Sequence, residues 1–167
     1  PHTPPPHTPP PHTPPPHTPP PNTPPPHTPP PHIGCKSVGF SARKAAGADQ
    51  WHHIHAHTRI RFQETISNFG PHSWDGTKFC PRCPGHYFFS FHAESSEHGD
   101  FTLALIKNQR YQVTAYGSKN GWQFAGNSVM LSMDHDDCVW LELQQGEIYE
   151  HPHQEAYTTF TGFLIAS

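Results

Sequence analysis

An all-β fold, a sandwich or jelly roll of short strands behind a non-globular tail, is what this sequence predicts, and three observations carry it. Apolar side chains recur at every second position in segment after segment: Phe101, Leu103, Leu105; Tyr111, Val113, Ala115; Val129, Leu131, Met133; and Val139, Leu141, Leu143. Turn residues punctuate them at Asn68-Phe69-Gly70-Pro71, Asp75-Gly76, His98-Gly99-Asp100, Lys119-Asn120-Gly121 and Gly126-Asn127. No stretch sustains the 3.6-residue period of an amphipathic helix. Short strands at regular spacing without helices indicate a sandwich or jelly roll.

Residues 1–34 form the tail and residues 35–167 the head. Of the 23 prolines, 19 lie in residues 1–31, within a period-five P-H-T-P-P repeat that Asn22 interrupts once. Proline at that density excludes helix and central strand, because φ is locked and donors are missing. Polyproline II is the expected state, roughly 95 Å long at about 3.1 Å per residue. A stiff solvated spacer and a specific assembly or metal-binding role both remain open. His2, His7, His12, His17 and His27 are the repeat's candidate metal ligands. On one straight rod, neighbours five residues apart lie about 15.5 Å from each other and point to different sides. A bound imidazole sits about 2 Å from its ion, so chelation needs a bent chain or several chains side by side.

Composition narrows the function classes. All of the formal charge of −3 belongs to the head, since residues 1–31 contain no Asp, Glu, Lys or Arg. No basic excess exists to hold a nucleic-acid backbone. No apolar run is long enough to span a membrane as a helix. No leader is visible, so a secreted reading assumes that one was removed. Roughly two-fifths of the head is apolar, ordinary for a domain with its own core.

Four cysteines, Cys35, Cys80, Cys83 and Cys138, fit an oxidising compartment and allow three intrachain connectivities. Cys35, at the junction of tail and head, suits an interchain bridge. Cys80-Pro81-Arg82-Cys83 is a lone C-x-x-C, where disulfide pairing is favoured over zinc; no βαβ context supports thioredoxin-like chemistry. In Trp51-His52-His53-Ile54-His55-Ala56-His57, an extended chain puts His53, His55 and His57 on one face. Three imidazoles there suit zinc, copper or nickel, against the plainer reading of an exposed histidine-rich loop. His151-Pro152-His153 is a weaker candidate. Ile60, Phe62 and Ile66 alternate next, with Glu64 breaking the pattern.

The densest apolar stretch is Phe79–Phe91, FCPRCPGHYFFSF. Pro84-Gly85 breaks the backbone, and Tyr87, Phe89 and Phe91 then share one strand face, opposite His86, Phe88, Ser90 and His92. Aromatic side chains on both faces imply a central strand covered on both sides. Asp134-His135-Asp136-Asp137 invites calcium, but a tight turn with aspartate in a left-handed position is the stronger reading. Phe163, like Phe89, is expected in the core. Exposed Trp74 or Trp122 would suit stacking on sugars, and either suits the core equally.

The motif F-x-x-x-x-P-G-x-Y-x-F-S-F within this stretch resembles the signature of the C1q domain. Four further segments match in order. Val38-Gly39-Phe40-Ser41-Ala42 resembles the opening strand, and Phe62 with Asn68-Phe69-Gly70 the following turn. Asp137-Cys138-Val139-Trp140-Leu141 resembles G-D-x-V-W-L, with Asp136 in place of the glycine. Tyr157-Thr158-Thr159-Phe160-Thr161-Gly162-Phe163-Leu164 resembles the last strand. The resemblance implies a ten-stranded jelly roll, secretion, and heads that form homotrimers. A collagen stalk usually precedes such a head, but the Pro-His-Thr repeat lacks Gly-X-Y. Tail and head together resemble histidine-rich C1q-domain proteins of bivalve haemolymph and extrapallial fluid. The expected function is a secreted, non-enzymatic assembly protein of extracellular structure or divalent metal binding, with zinc, copper or calcium as candidate ions. The alternative is a lectin that recognises glycans or microbial surfaces through the head. No nucleophile context supports an enzyme.

Overall fold

A computed structural model describes residues 2–16, 35–44, 51–52, 57–150 and 155–167. The chain divides into two units, Pro1–Pro31 and His32–Ser167. In the first, residues 2–16 are exposed and take no regular structure. The Thr13 N–H donates to the Pro11 carbonyl at 3.0 Å, a three-residue turn centred on His12 that a straight polyproline II rod lacks.

Strands make up the second unit. They are β1 Gly39–Arg43, β2 Trp51–His52, β3 Thr58–Arg59, β4 Glu64–Phe69, β5 His72–Trp74, β6 Lys78–Pro81, β7 Gly85–Glu94, β8 Phe101–Lys107, β9 Arg110–Gly117, β10 Phe124–Met133, β11 Val139–Gly146, β12 Ile148–Tyr149 and β13 Thr159–Ala166. Among the described residues ten of these thirteen are longer than two residues, in line with the ten-stranded jelly roll that the resemblance implies. One sheet runs β10-β7-β13-β1-β4; the other runs β5-β6-β11-β8-β9, with β3 beside β11; β12 and β2 form a short ribbon. Two antiparallel sheets burying a shared apolar layer make the jelly roll.

The core follows the period-two pattern closely. Tyr87, Phe89, Phe91 and Ala93 are buried along β7; Phe101, Leu103 and Leu105 along β8; Val139, Leu141 and Leu143 along β11. Phe40 ties the sheets together, stacked on Phe79 and Trp74 at 4.6 Å and edge-on to Phe160 at 4.9 Å. Gly162 makes this packing possible, since a Cβ there would come within 2.6 Å of the Phe89 ring.

Four expectations are corrected. Gly126-Asn127 is no turn but lies inside β10, paired with His92 and Phe91 of β7. The glycine is there because a Cβ would lie 2.2 Å from the His92 ring. Ile66 and Tyr111 are exposed, because a register shift in each ladder turns the side chain outward: β1 with β4 between Ser41 and Ala42, β8 with β9 between Leu105 and Ile106. Phe163 is 42% exposed, since Phe160 and Gly162 take the inward positions of β13. Cys35 forms no interchain bridge. It pairs with Cys83, and Cys80 pairs with Cys138, so both C-x-x-C cysteines enter disulfides.

The Asp134–Asp137 segment is the expected turn. Asp136 is left-handed at φ +74°, and the Asp137 N–H donates to the Asp134 carbonyl at 3.2 Å. The Asp137 carboxylate accepts from the Asp134 N–H and from Asn108 Nδ2, each at 2.8 Å, and lies 3.6 Å from Lys107 Nζ. Burial pushes the Asp137 carboxyl up, and these donors outweigh it, holding its pKa below the ordinary value.

Candidate functional site: the outer face of the aromatic sheet

β7 is central, as its composition implies, but its outer face is not covered by the rest of the described chain. His86 is exposed, and Phe88, Ser90 and His92 are half-buried. The antiparallel registers extend this face across five strands. Phe88 pairs with Met130 on β10 and with Phe163 on β13; Phe163 pairs with Gly39 on β1, and Gly39 with Phe69 on β4. One apolar row therefore crosses the whole sheet. Met130 is 63% exposed, Phe69 47% and Phe163 42%. The Phe88 and Phe163 rings lie 5.4 Å apart. Gly39 leaves room for its neighbours, since a Cβ there would meet the Phe69 ring at 2.8 Å and Phe163 Cβ at 3.1 Å.

Two residues along each strand, the next row is hydroxylic: Ser128, Ser90, Thr161, Ser41 and Ser67. Ser41 and Thr161 share a 2.8 Å hydrogen bond within it. The third row, Gly126, His92, Thr159, Arg43 and Glu64, ends in a 2.6 Å Arg43–Glu64 ion pair. The face is thus graded from apolar to hydroxylic to charged. An exposed apolar row beside hydrogen-bonding and charged groups is a composition that protein interfaces share.

His53, His55, His17, His27, His151 and His153 lie outside the described residues. His2, His7 and His12 are exposed in the tail. His57 is exposed and left-handed at φ +68°, with Nδ1 3.5 Å from Glu142 Oε1. Among the described residues no three His, Cys, Asp or Glu side chains are gathered closely enough to hold a metal ion. Trp74 belongs to the core, its indole N–H donating to Thr65 Oγ1 at 3.2 Å, while Trp122 is exposed. Among the described residues no helix is long and apolar enough to cross a membrane.

One titratable residue carries no signal in the sequence. His72 of β5 packs against Phe79 at 5.0 Å, with both ring nitrogens buried and short of hydrogen-bond geometry. Burial, reinforced by the Arg82 charge, lowers its pKa against the weaker pull of the Ser73 and Gly39 backbones. Above about pH 6.5 both folded and unfolded states hold a neutral ring. Below it the unfolded chain binds the proton first, so stability falls with pH until the folded ring also titrates. His72→Phe is expected to flatten the decline of the melting temperature between about pH 6.5 and 5. A variant whose pH profile runs parallel to the parent's shows that the ring is as accessible to protons as any surface histidine.

The C1q-domain profile matches residues 40–165. Complement C1q tumor necrosis factor-related protein 2 of mouse is 28% identical over 112 residues, 64% of this chain and 37% of the relative. A complement C1q subcomponent of cattle is 33% identical over 93 residues, 50% of this chain and 36% of the relative. The chain thus matches little more than a third of these relatives' length. The globular domain of zebrafish complement 1qA superposes with a TM-score of 0.58 at 22% identity, covering 77% of this chain and 97% of that one. Eiger TNF from S. frugiperda superposes at 0.64 with 7% identity, covering 78% and 94%. These two likenesses concern the fold alone.

Proposed function

The chain belongs to the C1q-domain family, and from that premise we propose a secreted, non-enzymatic assembly protein whose heads gather in threes and carry proline- and histidine-rich stalks. The observation that carries this reading is the apolar row Met130, Phe88, Phe163, Gly39 and Phe69, open along five strands of one sheet. A second and third copy cover it, with the hydroxylic row and the Arg43–Glu64 pair setting the angle. Trimeric heads hold three tails at high effective concentration, so histidines too far apart on one rod bind zinc or copper between rods. Asn22 weakens one level of that series. Glycan recognition by the head is the second reading, favoured by the exposed Trp122.

One preparation tests both halves. Light scattering of the full chain at micromolar concentration is expected to give the mass of three chains. Zinc calorimetry is expected to show tighter binding per histidine in that assembly than in a peptide of residues 1–34. A one-chain mass overturns the assembly. Equal affinity per histidine in chain and peptide overturns zinc binding between rods.

A further inference from the structure

A cavity of about 220 Å³ lies in the head away from the aromatic sheet's apolar row, lined by Glu94, Trp122, Tyr149 and Tyr157. The Trp122 indole meets Tyr149 edge-on at 4.5 Å, and Tyr149 stacks with Tyr157 at 6.3 Å. Three aromatic walls thus form a corner rather than a flat patch. Glu94 supplies a carboxylate within the lining, and the Glu155 carboxylate, outside the lining, accepts from the Tyr157 hydroxyl at 2.8 Å. No lysine or arginine is among the described lining residues.

The indole is held in place. Trp122 is left-handed at φ +49°, a conformation costly for a large side chain, and persists only if its surroundings impose it. They do so through buried Ser95. Ser95 Oγ donates to the Ser118 carbonyl at 2.7 Å and accepts from the Gln123 N–H at 2.9 Å, while the Ser95 N–H donates to the Gln123 carbonyl at 2.9 Å. The Gln123 amide closes the loop onto the Asn120 and Gly121 carbonyls. The loop therefore presents Trp122, 43% exposed, to the cavity at a fixed angle.

From this corner we infer a binding site for an organic cation bearing a quaternary or trimethylated ammonium group. Aromatic faces carry negative charge that attracts such a cation, and Trp is the best of them. The two carboxylates add a field of the same sign. Their charge helps hold the Tyr149 phenol above its ordinary pKa, after burial as the main cause. A bare metal ion is the poorer match, because calcium takes six to eight oxygens and the site offers few. A trimethylammonium group needs no hydrogen-bond acceptors and sheds its weak hydration readily. Its two common sources are a choline headgroup and a trimethylated lysine.

The test titrates the full chain with choline chloride and, separately, with its neutral tert-butyl isostere, following tryptophan and tyrosine side-chain signals by NMR. Choline is expected to bind at least about tenfold more tightly than the isostere. Trp122→Ala should abolish binding, Trp122→Phe should retain part of it, and Glu94→Gln should weaken it. Phosphocholine vesicles and a trimethyllysine peptide then distinguish the two sources. Equal binding of the isostere, or choline binding indifferent to Trp122→Phe and Glu94→Gln alike, overturns the site. Saturation by N-acetylglucosamine without any response to choline overturns it in favour of the glycan reading. Neither result bears on the three-chain mass, so this site and the assembly fail separately.

Discussion

Phe89→Ala is expected to destabilise the head by about 3–5 kcal/mol, the usual cost of truncating a fully buried phenylalanine. Phe89 is 0% exposed, with Phe79 at 6.0 Å and Phe160 at 6.2 Å. Gly162 lies against the same ring and has no side chain to collapse into the space left behind. A domain of this size commonly holds about 5–15 kcal/mol in total, so the variant should unfold at markedly lower urea or at a melting temperature reduced by roughly 10–20 °C. Phe163→Ala provides the contrast. It loses the Phe88 contact and an exposed surface, so its cost to a lone head should stay at about 1 kcal/mol. Its effect should instead appear in assembly, as a weaker and more concentration-dependent association. Equal, concentration-independent losses for the two variants would mean that Phe163 is structural and that the exposed row is not an interface.

That contrast also marks what could be read from the chain. Ladders whose pairing runs without interruption, such as that of β7 with β10, show their inward set directly, here in the alternation of Tyr87, Phe89, Phe91 and Ala93. Ladders with a register shift do not, because the extra residue, Ile66 in β4, leaves the alternation, and side chains beyond an extra residue are reversed, as Tyr111 beyond Gln112 shows. Turn chemistry was legible where aspartate or glycine announced it, at Asp136 and Gly76, both left-handed. It was hidden at Asn108-Gln109, a two-residue hairpin turn with both residues left-handed and no glycine. Gly126 misled in the opposite direction, since close approach of a neighbouring ring and a turn both select glycine. The candidate interface was legible only in pieces. Its five residues lie on strands whose spatial order, β10-β7-β13-β1-β4, departs from chain order, and no local pattern joins Phe69 to Met130.

Removing either disulfide is expected to cost about as much as emptying the core at Phe89. Cys35–Cys83 closes a loop of separation 48 and Cys80–Cys138 one of 58. Loop-closure entropy in the unfolded chain puts each bridge at about 4 kcal/mol. The two loops overlap between residues 80 and 83, so the unfolded chain is already constrained there and the effects should sum to less than their total. The native ends stay close without the sulfur bond. The Cys138 N–H donates to Asn108 Oδ1 at 2.9 Å and its carbonyl accepts from the Asn108 N–H at 3.1 Å, while the buried Tyr87 hydroxyl donates to the Cys83 carbonyl at 2.8 Å. The paired replacements Cys35→Ser with Cys83→Ala, and Cys80→Ser with Cys138→Ser, should therefore keep the fold and lose stability chiefly through a freer unfolded state. Guanidinium unfolding should show lower midpoints together with steeper transitions, because an uncrosslinked chain exposes more surface when it unfolds. A non-reducing denaturing gel of the parent protein should run as one chain. A band of two chains that collapses on reduction would return Cys35 to an interchain bridge, and would leave Cys83 of the C-x-x-C without the partner argued here.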